Sequence, residues 1–169
     1  MKGKNYRSIT GQAYTRKEYI HASPQSRLGK FTMGDTKAKF EQRVSLVSIE
    51  NVQIRHNALE AARIAANKVL FDKLGEKGYC LRIQVYPHQV FRENKMMAFA
   101  GADRLQKGMR QSFGTPTGTA ARVRINQAIM FADVNANGIE VAKLALEQGS
   151  KKLPTVCRVE IKKLDLSAA

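Results

Sequence analysis

Cys80 and His88 are the nearest thiol and imidazole in this sequence, eight positions apart with Pro87 between them. A thiol attacks only when an adjacent base or a lowered pKa makes it a thiolate. Cys80, however, sits in the alternating run from Tyr79 to Tyr86, where a buried, inert thiol is the ordinary outcome. His21, His56 and His88 are isolated from one another, so none has a partner at metal-ligand spacing. Glu93 and Asp103 lie among Arg92, Asn94, Lys95 and Arg104. Carboxylates in that company are expected to shape a basic surface by ion pairing rather than to act as general acids or bases. No GxGxxG or GxSxG occurs, and Gly114 to Thr119 holds two glycines without the lysine of a phosphate cradle. An enzyme is not expected, nor is a cofactor or a bound metal.

The remaining chemistry is cationic. Twenty-nine Lys+Arg stand against 14 Asp+Glu, a formal net charge of +15. Residues 1–50 carry 10 basic and 4 acidic residues, net +6, and residues 89–124 carry 7 and 2, net +5. The last 45 residues carry 6 and 5, net +1. A surplus this uneven repels itself unless an anionic partner neutralises it, and a sequence pI of about 10.1 points to nucleic acid. No helix sets a basic face against a bulky aromatic one, and no window holds 18 consecutive apolar residues. A membrane partner is therefore not expected. Met1 to Thr10 is polar and basic, without the apolar stretch of a secretory signal. Cys80 and Cys157 form no CxxC, which fits two thiols in a reducing cytosol. Lys and Arg bind phosphates irrespective of sequence, whereas Tyr14 and Tyr19 have faces on which unpaired bases stack. That combination favours structured RNA over uniform duplex. No helix-turn-helix, zinc finger or RNA-recognition signature appears.

Elements must hold these residues. Hydrophobic residues make up 43% of the 169, enough for one packed domain over 1–169. Residues 1–40 read as an extended basic arm that orders against a partner. Arg43–Ser48 reads as a strand, with Ser48 as the N-cap of a helix from Asn51 to Leu74. Leu59, Ala62, Ala66, Leu70 and Leu74 recur at three- and four-residue spacing along it. Tyr79–Tyr86 alternates as a strand, and Val123 to Phe131 reads as another long one. A second helix is expected from Asn135 or Asn137 to about Gln148, and a last strand around Cys157, Val159 and Ile161. Residues 95–120 show no period and read as a flexible, glycine-rich finger loop. The expected class is α+β, a small mixed sheet covered by two helices.

Several runs then resemble a known family. They are Tyr14-Thr-Arg-Lys-Glu-Tyr-Ile20, the stretch from Val52 to Asn67, Val85-Tyr-Pro-His88, Arg92-Glu-Asn-Lys-Met96, the stretch from Gly101 to Arg110, and Gly118-Thr-Ala-Ala-Arg-Val123. Together they are similar to the universal large-subunit ribosomal protein of the L-sixteen family, in its archaeal and eukaryotic branch. The form is expected to be archaeal, since the chain stops soon after its last strand. Ala13 and Thr115 depart from the proline and lysine common in relatives.

The resemblance implies an α/β-hammerhead type of fold, a cytoplasmic place in the large ribosomal subunit, and neighbouring ribosomal proteins as partners. It does not imply an obligate homo-oligomer. It assigns contacts with large-subunit rRNA to Tyr14, Arg16, Lys17, Arg55, His56, Arg63, Arg92, Asn94 and Lys95. Arg7, Tyr19, Lys68, Arg122 and Arg124 complete that basic and aromatic set. It also places the finger beside the tRNA acceptor arm near the peptidyl-transferase centre, through Asp103, Arg104, Gln106, Lys107, Gly108, Met109 and Arg110. The alternative is a free-standing translation or processing factor that binds structured RNA transiently.

Overall fold

A computed structural model describes residues 6–95 and 108–164. The strands are β1 (Thr32–Gly34), β2 (Gln42–Ser48), β3 (Val52–Arg55), β4 (Tyr79–Ile83), β5 (Gln89–Glu93), β6 (Thr115–Val123), β7 (Ala128–Val134) and β8 (Cys157–Lys163). Helix α1 spans His56–Leu74 and helix α2 spans Ile139–Ser150. The α+β class with two helices holds. In place of one small mixed sheet there are two antiparallel ones, ordered β1-β4-β7-β2-β8 and β3-β6-β5.

One apolar core joins the sheets to the helices. Val44, Leu46, Leu81, Met130 and Ala132 supply it from the larger sheet, and Val52, Ile54, Ala121 and Val123 from the smaller. Helix α1 buries Leu59, Ala62, Ala66 and Leu70, the stripe legible in its spacing. The small side chains of that stripe let α2 approach closely. A Cβ on Gly149 of α2 would sit 3.3 Å from the Ala62 carbonyl oxygen and 3.5 Å from the Ala66 Cβ. Side chains on the far face of the larger sheet form their own layer. There Arg43 grips Asp133 with two hydrogen bonds, at 2.7 and 2.9 Å, and lies 4.0 Å from the Phe131 ring centroid.

Four further expectations change. The helix expected from Asn51 begins instead at His56, because Val52–Arg55 pairs with Ala120–Val123 as strand β3. Ser48 caps no helix; its hydroxyl donates to the Glu50 carbonyl at 2.8 Å, inside the bend that carries the chain between sheets. The long strand expected through Val123 and Phe131 is two strands, β6 and β7, in different sheets, and the end of the expected finger, from Thr115, is already β6. Strand β6 runs beside β5, and Gly114 enters it with a φ of 71°. A Cβ there would lie 2.3 Å from the Glu93 carbonyl carbon, so only glycine fits the approach.

Candidate nucleic-acid interface

Residues 6–20 lie across the three-stranded sheet from one edge to the other. At the β3 edge the Gln53 N–H donates to the Arg7 carbonyl at 2.9 Å, and the Gln53 side-chain amide to the Ser8 carbonyl at 2.6 Å. In the middle strand, Arg122 donates to the carbonyls of Ile9 and of Gly11, the latter at 2.9 Å. At the β5 edge the Val90 N–H donates to the Tyr14 carbonyl at 2.9 Å. The segment expected to await a partner is therefore ordered against its own body. Ile20 and Leu28 are buried, and Thr32–Gly34 pairs with β4. Unpaired strand edges offer backbone donors and acceptors, and this segment takes them.

Two arginine–aromatic clusters pin that crossing. The Arg55 guanidinium lies 5.7 Å from the Tyr6 ring centroid and 5.2 Å from that of Phe91. The Arg92 guanidinium lies 4.3 Å from Phe113 and 5.9 Å from Tyr14, and donates to the Gly114 carbonyl at 2.7 Å. Each cluster joins one arm tyrosine to one arginine and one phenylalanine of the sheet region. A ring face attracts a guanidinium while keeping it partly dry. Arg55, Arg92, Arg122 and Tyr14 thus hold the protein's own chain. Beside them Asn94 donates to the Gly108 carbonyl at 3.3 Å, tying the two strands of the finger stem together.

His56 is the most enclosed of the described residues assigned to RNA. Its side chain is buried, at 5% exposure, and Nδ1 lies 3.0 Å from the Thr119 hydroxyl and accepts the Arg27 N–H at 3.4 Å. Burial, with Arg55 and Arg27 nearby, pushes its pKa below the ordinary value. The ring is a neutral hinge pin between α1 and β6. Arg63 also turns inward, to Glu60 at 2.5 and 2.9 Å. That pairing raises the arginine's pKa and lowers the glutamate's. A guanidinium so engaged has little left for phosphate.

The open cations are others. Arg7, Arg16, Lys17, Lys68, Lys95, Arg110 and Arg124 are exposed, and their side chains have no ion-pair partner among the described residues. Tyr19 is 74% exposed, and so is Met109, at 76%, on the short turn Gly108–Gln111. Asp103, Arg104, Gln106 and Lys107 lie outside the described residues. Phe91 and Phe113 were missed in the sequence, and Tyr6 was seen there only as one of the tyrosines interleaved with basic residues. The Tyr6-Arg7 pair repeats the Tyr/Arg interleaving around Tyr14 and carries a legible signal, whereas Phe91 and Phe113 acquire their arginines only through strand pairing. Among the described residues no group of His, Cys, Asp and Glu is arranged to hold a metal. No helix among them is long and apolar enough to cross a membrane.

Comparison with known proteins decides among the readings of so basic a surface. The family model described as "Ribosomal protein L16p/L10e" matches residues 9–160. The chain belongs to that family. It is 53% identical to the large ribosomal subunit protein uL16 of Staphylothermus marinus over 159 residues, 94% of this chain and 91% of the relative. It is 49% identical to uL16 of Sulfolobus acidocaldarius over 169 residues, 99% and 96% of the two chains. For uL16 of Methanococcus maripaludis the figures are 49% over 158 residues, 94% and 91%. Membership makes the chain a ribosomal protein with a structural role rather than an enzyme, and its named relatives here are archaeal.

Proposed function

We propose that this chain is built into the large ribosomal subunit, in the cytoplasm, where it binds the subunit's rRNA beside neighbouring ribosomal proteins. The observation that carries the proposal is the contrast between pinned and open cations. Arg55, Arg92 and Arg122 fix the arm, so that Arg7, Arg16, Lys17 and the nearby ring of Tyr19 are presented on a rigid backbone. Preorganised cations lose little conformational freedom when they meet phosphates. The loop between β5 and β6, shorter than the expected 95–120 because β6 begins at Thr115, is joined to the stem held by Asn94 and Arg92. It lies beside the tRNA acceptor arm and organises the tRNA site next to the peptidyl-transferase centre, with Asp103, Arg104, Gln106, Lys107, Gly108, Met109 and Arg110 nearest to it. RNA carries out peptide transfer. The protein completes late subunit assembly as one domain, and as one copy rather than an obligate homo-oligomer.

Binding of the full chain to large-subunit rRNA across a salt series tests this. The double variant Arg16→Ala/Lys17→Ala is expected to lower the slope of log affinity on log salt by about 1.8, two phosphates' worth. Arg63→Ala, removing a cation already paired, should leave the slope within error. Equal slopes for wild type and the double variant would refute the arm as an RNA contact. Sedimentation of lysate separates the ribosomal role from that of a transient factor: the chain should remain on large subunits, one copy each, through a moderate-salt wash. Excision of residues 102–113 should impair tRNA accommodation on subunits that still assemble.

A further inference from the structure

The turn joining β6 to β7 faces the arm across an open cleft of about 850 Å³. Ile9 and Gly11 of the arm and the turn Arg124–Gln127 line it, and Arg122 bridges to the arm through the Ile9 and Gly11 carbonyls. A second recess of about 430 Å³, walled by Ser8, Thr10 and Asn51, shares Ile9 and Arg124 with the first. Among the described residues no acidic one lines either recess. Larger than a phosphate requires, the main cleft falls in the ~300–1,000 Å³ range of small-molecule sites.

Its rim is rigid. Gln127 N–H closes the turn onto the Arg124 carbonyl at 3.2 Å, and Asn126 takes the third position with a φ of 62°, a conformation asparagine tolerates. Ile125 N–H donates to the Asn51 side-chain oxygen at 3.0 Å, and Asn126 N–H to the Ser48 carbonyl at 2.9 Å. The Arg124 N–H is taken by the Gln127 side-chain oxygen at 2.9 Å, which leaves the Gln127 amide group as a donor. At this cleft the exposed Arg124 guanidinium and the buried Arg122 Nε have no hydrogen-bond partner among the described residues. Ile125 keeps 53% of its surface exposed at the lip.

We infer that this cleft receives one unpaired nucleotide swung out of an RNA strand. Arg124 takes its phosphate, Ile9 and Ile125 cover a face of the base, and the amides of Asn126 and Gln127 meet the base edge. Single-stranded positions expose the edges and faces that such a pocket reads, and paired bases do not. A bare anion site would need neither the apolar walls nor the amide pair. The inference rests on the proposed rRNA binding and adds a ligand class to one part of it.

The test is 2′-hydroxyl acylation of large-subunit rRNA bound to the full chain, compared with free RNA. Wild type is expected to cut the reactivity of one single-stranded nucleotide several-fold. Arg124→Ala should restore that reactivity and weaken binding by about tenfold, one charge-assisted contact, while the rest of the footprint persists. Asn126→Gly, which keeps the turn, should restore the same nucleotide with less loss of affinity. Lys152→Ala, at an exposed position just past α2 that lines neither recess, should change neither. A wild-type footprint that Arg124→Ala leaves intact overturns the pocket and spares the rRNA reading. Loss of protection spread over paired positions overturns the pocket too, since it marks Arg124 as a general phosphate contact. No wild-type footprint at all overturns both.

Discussion

The Arg92 guanidinium lies 4.3 Å from the centroid of the Phe113 ring and donates to the carbonyl of the next residue, Gly114. Arg92 is the penultimate residue of β5, just past a register shift between Phe91 and Arg92, and Phe113 precedes β6. The irregularity turns one side chain across the stem, so that a single arginine ties together both strands and Tyr14 of the arm. The base of the finger and the arm therefore share one anchor.

Removing that anchor should loosen both at once. Arg92→Ala is expected to cost about 1.5–3 kcal/mol of local stability, the range for hydrogen bonds to charged groups. Amide exchange at Val90, which bonds Tyr14, and at Gly114, which bonds Gln111, should accelerate together. Arg92→Lys keeps the charge but loses the planar fork and should rescue only part. Unchanged exchange at either amide would detach the stem from the arm.

His56 should make stability depend on pH. Nδ1 accepts the Arg27 N–H, so it carries no proton of its own, and burial beside Arg55 and Arg27 depresses its pKa in the fold. The unfolded chain then binds the proton first as pH falls. Stability is full above the unfolded value of about 6.5 and is lost progressively below it, until the folded histidine also protonates. Thermal melts of wild type and His56→Gln across pH 5–8 should differ in slope mainly below pH 6.5, with the variant flatter.

Small residues set the helix spacing. Ala66 is fully buried, and its Cβ lies 3.5 Å from the position a Gly149 side chain would take. Ala66→Leu should therefore destabilise by about 1–3 kcal/mol through overpacking, lowering the melting temperature. Ala65→Leu, one position round the same helix and only half-buried, is expected to shift it far less.

The thiols should be slow to react. Burial pushes the Cys157 pKa up to about 11 and raises that of Cys80 as well. Both cysteines are free. At pH 8 a native sample should consume a thiol reagent much more slowly than the same sample in denaturant, since the thiolate is the reactive form. Equal rates would mean that neither site is protected.

Periodicity and charge are local properties, and what they carry was legible. The stripe Leu59–Ala62–Ala66–Leu70 named the buried side of α1, and the alternation from Tyr79 named β4. The motif runs placed the chain in its family, and the uneven cations pointed to RNA. Pairing is not local. Val52–Arg55 looked like the first turn of a helix, because a strand buried on both faces has no alternation to show. Only the tertiary structure made it an edge strand with β6 on one side and the arm on the other.

The same reason divides the basic residues. Arg55, Arg63 and Arg92 are indistinguishable in the sequence from Arg16, Lys17 and Arg124. A guanidinium's availability depends on which rings, carbonyls and carboxylates the fold brings within reach, and those come from residues tens of positions away. Composition determined that the chain must meet a polyanion. Packing decided which cations stay free to meet it, because each contact that holds the arm uses up donors that phosphate would otherwise take.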